Sequence, residues 1–511
     1  MMASRIRTLT CGVGAGCALA LLASASLWVS PNPSDVAGTA LSAHPSQIRL
    51  ACPAGIVDPF DTSNVAAATA WTSTSATPVS PAPTLVTGEA GVIPSALSIA
   101  GQGGGELAGL SAVGCAAPRT SQWIATGATT SGADIVLLLS NPGPTASVVS
   151  VDGFGASGRL NTAPRQVTVP AGSTASVLLA GWFPDESALA VHVQADGGGV
   201  AAWAQASLMN GEIPQGTTLA SASVPAPSHT ILGIDPRGTS LLRLVSPSGD
   251  ARVRVWVADS SGVHPLPGGE ATVAEGTTLD MPLDGASNDS TPIALLVTAD
   301  QDVVAHATTI TLGAPWAERA SAWIMRANAT PTTSLTEAAI PGRKQLQDAA
   351  TSVLSSAPIR DTSLATESGV TAVRAHLLLY VPAQATGSMP QPQGPAPQSG
   401  TPTQAPTPDI WSSPSPTQPQ SDPAQDPQSS GTSSSTPGAV AVRVGERTVY
   451  VAPGIPTLVE APDAAGRILA QSPIHAAIVV SADTAVGTMS TTWNVGTEGI
   501  SAVTGDIRLT N

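Results

Sequence analysis

Lysine is nearly absent from this chain. Of its 20 basic residues only Lys344 is a lysine, and the arginines nowhere cluster. With a net charge of −15 and no basic patch, the footprint needed to neutralise a phosphate backbone is missing, which excludes nucleic acid as a partner. Charged residues of both signs amount to 11%, against about a quarter in ordinary soluble domains. Small polar side chains must therefore cover the surface, as in exported all-β proteins. Aromatics are scarce at 3% and skewed, with ten tryptophans against three phenylalanines and two tyrosines. Signatures of chemistry are missing too: the chain has no G-x-S-x-G elbow, no P-loop and no S-x-x-K. The histidines (His44, His192, His229, His264, His306, His376 and His475) are scattered, with none at zinc-ligand spacing.

What is present begins with an apolar leader. Arg5 and Arg7 precede a run from Leu9 to Val29, long enough to cross the ~30 Å hydrocarbon core as a helix. Residues 1–30 read as a signal anchor, which makes the protein a single-pass membrane protein with an extracytoplasmic C-terminal region. The Ala23-Ser24-Ala25 pattern supports a second reading, a signal peptide cleaved after Ala25 to give a secreted chain. Residues 31–48 read as a flexible stalk.

Beyond the stalk the sequence repeats. Runs of 4–8 residues rich in Val, Leu, Ile and Thr are punctuated by turns such as Asn141-Pro142-Gly143 and Pro247-Ser248-Gly249. In "RVRVWV", Val253, Val255 and Val257 alternate with Arg252, Arg254 and Trp256, the period of a half-buried strand. Turn glycines and Ala-Asp pairs keep register: Gly172 to Asp196 and Gly276 to Asp300 have equal spacing, and Gly454 to Asp483 is somewhat longer. The expected fold is all-β, with tandem antiparallel, immunoglobulin-like sandwiches at residues 128–215, 216–328 and 373–511. Residues 49–127 form an N-terminal cap and 329–372 a connector in which "GRKQLQDAATSVLSS" reads as a short helix. The Pro-, Gln- and Ser-rich stretch 383–438 has too little apolar area to fold and is expected to be disordered. By repeat comparison it is an expanded hairpin loop inside the third sandwich; the alternative is a tether between separate domains.

Cys11 and Cys17 lie in the leader, so Cys52 and Cys115 are the exported pair. A disulfide is the simplest reading in an oxidising compartment, with two unpaired structural thiols as the alternative. Asp196, Asp300 and Asp483 read as corners of a repeated scaffold, since Asp before a strand bonds nearby backbone amides. His192, inside an apolar strand, reads as a strand residue and not a base. "GQGGGELAG" at 101–109 lacks the Lys-Ser/Thr of a phosphate cradle and reads as a flexible loop. Trp123, Trp182, Trp203, Trp256, Trp316, Trp323 and Trp493 are either sugar-stacking platforms or packing residues. Aligning Trp203 with His306 and Thr488 shows no repeated platform and favours packing. No catalytic, metal or cofactor residue is assigned.

Cys52-Pro53, "CAAPRTSQWIATGA", "LLLSNPGPTASVVSVDGFGASG", "VTVPAGSTASVLL" and "LAVHVQADGGGVAAW" together resemble an actinobacterial exported family of unknown function, numbered 5719, over roughly residues 50 to 511. The resemblance implies a membrane-tethered envelope protein encoded beside glycosyltransferases for surface polymers, with no catalytic residues to carry over. The expected function is a non-catalytic scaffold or binding module whose partners are envelope glycans or proteins. Two alternatives stand beside it: a secreted glycosidase-type enzyme with two placed carboxylates, and an adhesin presenting the proline-rich loop.

Overall fold

The computed structural model describes residues 41–43, 49–72, 76–79, 84–87, 94–210, 213–315, 322–360, 370–383, 438–485, 487–496 and 505–507. The leader and the disordered-loop readings lie outside these residues. The chain divides into two compact units. In the smaller, the described part is the strand Leu41–Ala43 paired antiparallel with Gly505–Ile507. Everything below concerns the larger, residues 49–88 and 93–500.

The larger unit is all-β, and one strand order recurs along it. From residue 121 the strands are Ser121–Ile124, Ala133–Asn141, Ser147–Gly155, Arg165–Val169, Ser173–Leu178, Ala190–Ala195, Ala201–Asn210 and Ile213–Ser221. Counted in that order, one sheet runs fourth–third–sixth–first and the other fifth–second–seventh–eighth. Ile124, Leu137, Val149, Val151, Val193 and Ala202, contributed by both sheets, share one apolar core.

A second set follows: Ala226–Ile234, Thr239–Val245, Ala251–Asp259, Gly262–Val273, Thr278–Pro282, the long strand Ile293–Pro315 and Ala322–Ala329. Here the sixth and seventh strands are one continuous strand that changes sheets. Its first half pairs with Ala251–Asp259 and its second half with Thr239–Val245. The third set repeats this with Leu335–Ile340, Val370–Tyr380, Val440–Val444, Arg447–Val451, Thr457–Glu460, the long strand Gly466–Thr484 and Gly487–Asn494.

The order departs from the immunoglobulin arrangement, in which the seventh strand pairs with the sixth beside the third. Here the first strand takes that place, and the seventh crosses to the second. The second and third strands of each set lie in opposite sheets. The connection between Ala383 and Gly438 is therefore an arch between the two sheets of one set, not the hairpin expected from the sequence.

The N-terminal stretch carries a reduced version of the same order. Ala76–Val79, Ala68–Thr72, Ala96–Gln102 and Gly109–Gly114 form a sheet equivalent to fifth–second–seventh–eighth. Arg49–Cys52 pairs with Thr84–Thr87 as the first strand does with the sixth, and the sequence between Thr72 and Ala76 is too short to hold a third-and-fourth hairpin.

The four innermost strands, Gly109–Gly114, Ile213–Ser221, Ala322–Ala329 and Gly487–Asn494, each neighbour the next, and the last returns to the first. The larger unit thus closes into a ring of four sheets set like propeller blades around an axis. Each junction has its own hydrogen bond: Leu219 N donates to Ser111 Oγ (2.9 Å), Asn328 Nδ2 to Thr218 Oγ1 (2.7 Å), Asn494 Nδ2 to Thr330 O (2.7 Å) and Ala112 N to Thr491 Oγ1 (2.7 Å). Gly109 is needed at one junction, because a Cβ there would lie 2.1 Å from Thr217 O.

Outward faces of successive sets pack into apolar seams, such as Trp203 and Leu138 against Val57 and Leu107, or Leu378 and Tyr380 against Leu232 and Ala258. The closing seam holds the one α-helix among the described residues, Arg343–Leu354. Leu346, Ala349, Ala350, Val353 and Leu354 recur at three- and four-residue spacing and are buried. They pack with Trp71, Leu97 and Ile99 from the N-terminal stretch and with residues of the third set. Gln345 at the helix start accepts from Gly342 N (3.0 Å) and from Trp71 Nε1 (3.1 Å), joining helix capping to ring closure.

Candidate functional site: the axial cavity

Where the C-terminal ends of the four innermost strands converge, they enclose a partly open cavity of about 90 Å³. Its wall is drawn from every sheet: Gly114, Ser221, Asn328 and Thr330, and Trp493 with Asn494. Cys115 adds the disulfide to Cys52 (Sγ–Sγ 2.04 Å), which joins the first strand of the N-terminal stretch to the residue after its innermost strand.

Polar groups in this wall divide sharply. Asn494 Nδ2 donates to Thr330 O, Thr330 Oγ1 (2.9 Å) and Pro331 O (3.2 Å), and these acceptors fix which end of the amide is which. Asn494 Oδ1 is then an acceptor with no partner among the described residues. Trp493 is 2% exposed, and its Nε1, a donor only, has no partner either. A buried donor left unpaired costs about 1–3 kcal/mol. Both atoms are closed off from solvent, and residues 493 and 494, consecutive in one strand, face opposite sides of it, so neither is exposed to the cavity.

Residues singled out from the sequence fall elsewhere. Asp196 Oδ1 accepts from Val148 N (2.7 Å) and Ser147 Oγ (3.0 Å), and Asp300 Oδ1 accepts from Arg252 N (2.8 Å). Each ties the corner between sixth and seventh strands to the start of the third. Asp483 is not their counterpart. It lies at the turn between the seventh and eighth strands, paired with Arg374 (2.7 Å) and Thr488 (2.9 Å). The equivalent corner in the third set is at Ile474–His475, where the long strand changes sheets. The same offset corrects the tryptophan comparison: Trp203 pairs with Leu138 and His306 with Arg243, and the matching residue in the third set is Ala477, opposite Leu378, not Thr488.

Trp123, Trp203 and Trp493 are buried, and Trp182 and Trp256 half-buried. Trp316 and the Trp323 side chain lie outside the described residues. The glycines of 101–109 serve close packing: a Cβ on Gly105 would meet Arg360 O at 2.6 Å and one on Gly101 would meet Gly109 O at 2.6 Å. That stretch is clamped, where the sequence suggested a flexible loop.

Three polar clusters have the residue types of chemistry. Ser121 Oγ and His192 Nε2 are 2.9 Å apart, with His192 stacked on Trp123 at 4.4 Å. Asp152, opposite His192 on the next strand, accepts from Arg159 and Asn161, so its carboxylate is held away from an orienting role. Burial, opposed by the Asp152 charge, lowers the His192 pKa. At Asp259 the carboxylate is the hub, accepting from Ser261, Ser287 (2.6 Å) and His264 (3.1 Å). Burial alone would raise it, but those hydrogen bonds hold it well below the usual carboxylate range. Among the described residues no nucleophile meets the other nitrogen of His264, which approaches Pro265 O at 3.5 Å. Asp58 (3.3 Å) and Glu106 (2.6 Å) share the Arg360 guanidinium, which stitches the connector to the N-terminal stretch.

Among the described residues no group of three or more His, Cys, Asp and Glu is placed to hold a metal ion, and no helix is long and apolar enough to cross a membrane. Sequence reading missed Asn494 and Gly114, and took Trp493 only as one tryptophan of several. Correct alignment of the eighth strands would have shown them at one end of equivalent strands. No curated protein and no solved structure matches the chain. The model of a family of unknown function, DUF5719, matches residues 69–391, more than half of the sequence, and the chain belongs to that family.

Proposed function

We propose that this is a non-catalytic, membrane-tethered protein of the cell envelope, and that its ring of tandem sandwich repeats is an extracytoplasmic scaffold that binds an envelope glycan or protein at the axial cavity. The observation that carries the reading is the placing of the axial cavity, whose wall is drawn from all four innermost strands. The carboxylates Asp152 and Asp259 are tied into the scaffold instead. The Cys52–Cys115 bridge supports an oxidising compartment. The apolar leader after Arg5 and Arg7 supports a tether, and the acidic, lysine-poor composition argues against anionic polymers held by charge.

The test is a full-length chain with a C-terminal tag, fractionated and treated with protease on intact cells, then used to capture purified envelope polymers and proteins. The reading expects membrane retention, tag digestion from outside, and saturable capture of at least one envelope component. A tag protected from protease, or failure to capture any component, contradicts it.

A further inference from the structure

We propose that the open edge of the strand Thr84–Thr87 takes up an extended segment of a partner protein, which fills the place of the third strand that the N-terminal stretch lacks. None of these residues lines the axial cavity.

In each complete set the sixth strand lies between the first and the third. Ala190–Ala195 runs between Ser121–Ile124 and Ser147–Gly155, and the first halves of the two long strands are flanked in the same way. Thr84–Thr87 holds the sixth position, yet among the described residues it pairs with Arg49–Cys52 alone. Its side chains carry the mark of the missing neighbour. Ala51 and Leu85 stand opposite each other and share a face. Ala51 is fully buried on that face, while Leu85 is 40% exposed.

The edge is also undefended. Sheet edges that must stay unpaired are blunted with charge, proline or a bulge. The fourth strands, which border the complete sets, carry Arg165, Pro265 with Glu270, and Arg447. Thr84–Thr87 contains none of these; Pro83 and Gly88 bound it and limit an added ladder to its four residues. That is enough, since the third strand of the third set meets its sixth over Val442 to Val444 only.

The third strands define the occupant. Their core residues are valines two apart: Val149 and Val151, Val253 and Val255, Val442 and Val444. The added segment is therefore a proline-free Val-x-Val stretch running antiparallel to Thr84–Thr87. Every Val-x-Val in this sequence already lies in a strand of the ring. Neither another stretch of this chain nor a second folded copy supplies it, so the segment belongs to a different protein.

The experiment uses the full chain in detergent micelles and, as probe, a fluorescein-labelled peptide with the sequence of the first set's third strand, SVVSVDGFG. Fluorescence polarisation reads binding, and hydrogen exchange reads its place. Expected are saturable binding, at least tenfold weaker binding when the two core valines of the peptide are replaced by aspartate, and slowed exchange over Thr84–Thr87 with the fourth strands unchanged. Leu85→Lys, which puts a charge on the open edge, should weaken binding at least tenfold. Two further peptides, N-methylated at alternate residues in one phase or the other, leave the protein untouched. One should bind and the other should not, because an added strand bonds through a single edge. No binding, equal binding of the aspartate peptide, unchanged binding by Leu85→Lys, or equal behaviour of the two N-methylated peptides overturns the proposal. So does slow exchange of all four Thr84–Thr87 amides in the chain alone, which would show that the chain covers this edge itself.

Discussion

Asp196 and Asp300 show how a single side chain becomes part of an architecture. Each accepts a backbone N–H from the start of the third strand, Val148 or Arg252, across the same sequence separation of 48 residues. A strand start has an amide facing out of the ladder, and a carboxylate at the neighbouring corner satisfies it. Asp483 instead pairs with the half-exposed Arg374 guanidinium, an arrangement worth at most about 1 kcal/mol. Asp196→Ala should lower unfolding free energy by about 1 kcal/mol, and Asp483→Ala by no more than roughly 0.5 kcal/mol. Urea midpoints of the two variants check this, and equal losses would contradict the distinction. At the seam between the first and second sets, Arg243 is buried, bidentate on Asp280 (2.7 Å to each oxygen) and donating to Leu189 O (3.1 Å). Nothing in its local sequence marks it, since its value comes from carbonyls of another set.

At the scale of elements, much was legible. Alternation in "RVRVWV" placed Val253, Val255 and Val257 inward, and they are buried; the helix expected in "GRKQLQDAATSVLSS" forms as Arg343–Leu354. Strand runs and turn glycines are local signals, set by side-chain period and left-handed backbone, as at Gly172 (φ 62°) and Gly276 (φ 67°). Sheet membership is not local. The sixth and seventh strands are separated by a turn in the first set and fused in the other two. Counting Ala-Asp pairs therefore slipped by one strand in the third set, where the loop before the long strand is shorter and Asp483 falls at the far end of the seventh strand. The arch between Ala383 and Gly438 carries a further prediction. Both flanking strands belong to one set, and loop length costs only about 0.6 kcal/mol per doubling. Replacing residues 384–437 by a short Gly-Ser turn should leave the melting temperature within a few degrees or raise it. A loss of cooperative unfolding in that variant would show that the segment does more than connect.

The larger unit closes into a ring, and the sequence concealed it because closure depends on contacts between the two ends of that unit. Trp71, in the N-terminal stretch, meets Trp493, in the last innermost strand, edge to face at 6.3 Å between ring centroids. The same tertiary burial sets an acid limit. Burial lowers His306 and His475 to about 4, and His229 moves in the same direction. The folded state keeps these imidazoles neutral while the unfolded chain takes protons near pH 6.5. Stability is therefore full above about pH 6.5 and declines as pH falls toward 4. The loss attached to Asp259 begins as pH falls into the ordinary carboxylate range, where the unfolded chain takes its proton, and continues below it. Urea midpoints from pH 7 to 4.5 should fall, and a flat profile would contradict the buried neutral state. The measurement that bears most directly on ring closure is a double-mutant cycle on Trp71→Phe and Trp493→Phe, read from urea unfolding of the full chain. Closure predicts a coupling of about 0.5–1.5 kcal/mol between them; additivity within roughly 0.3 kcal/mol would mean that the two ends do not meet.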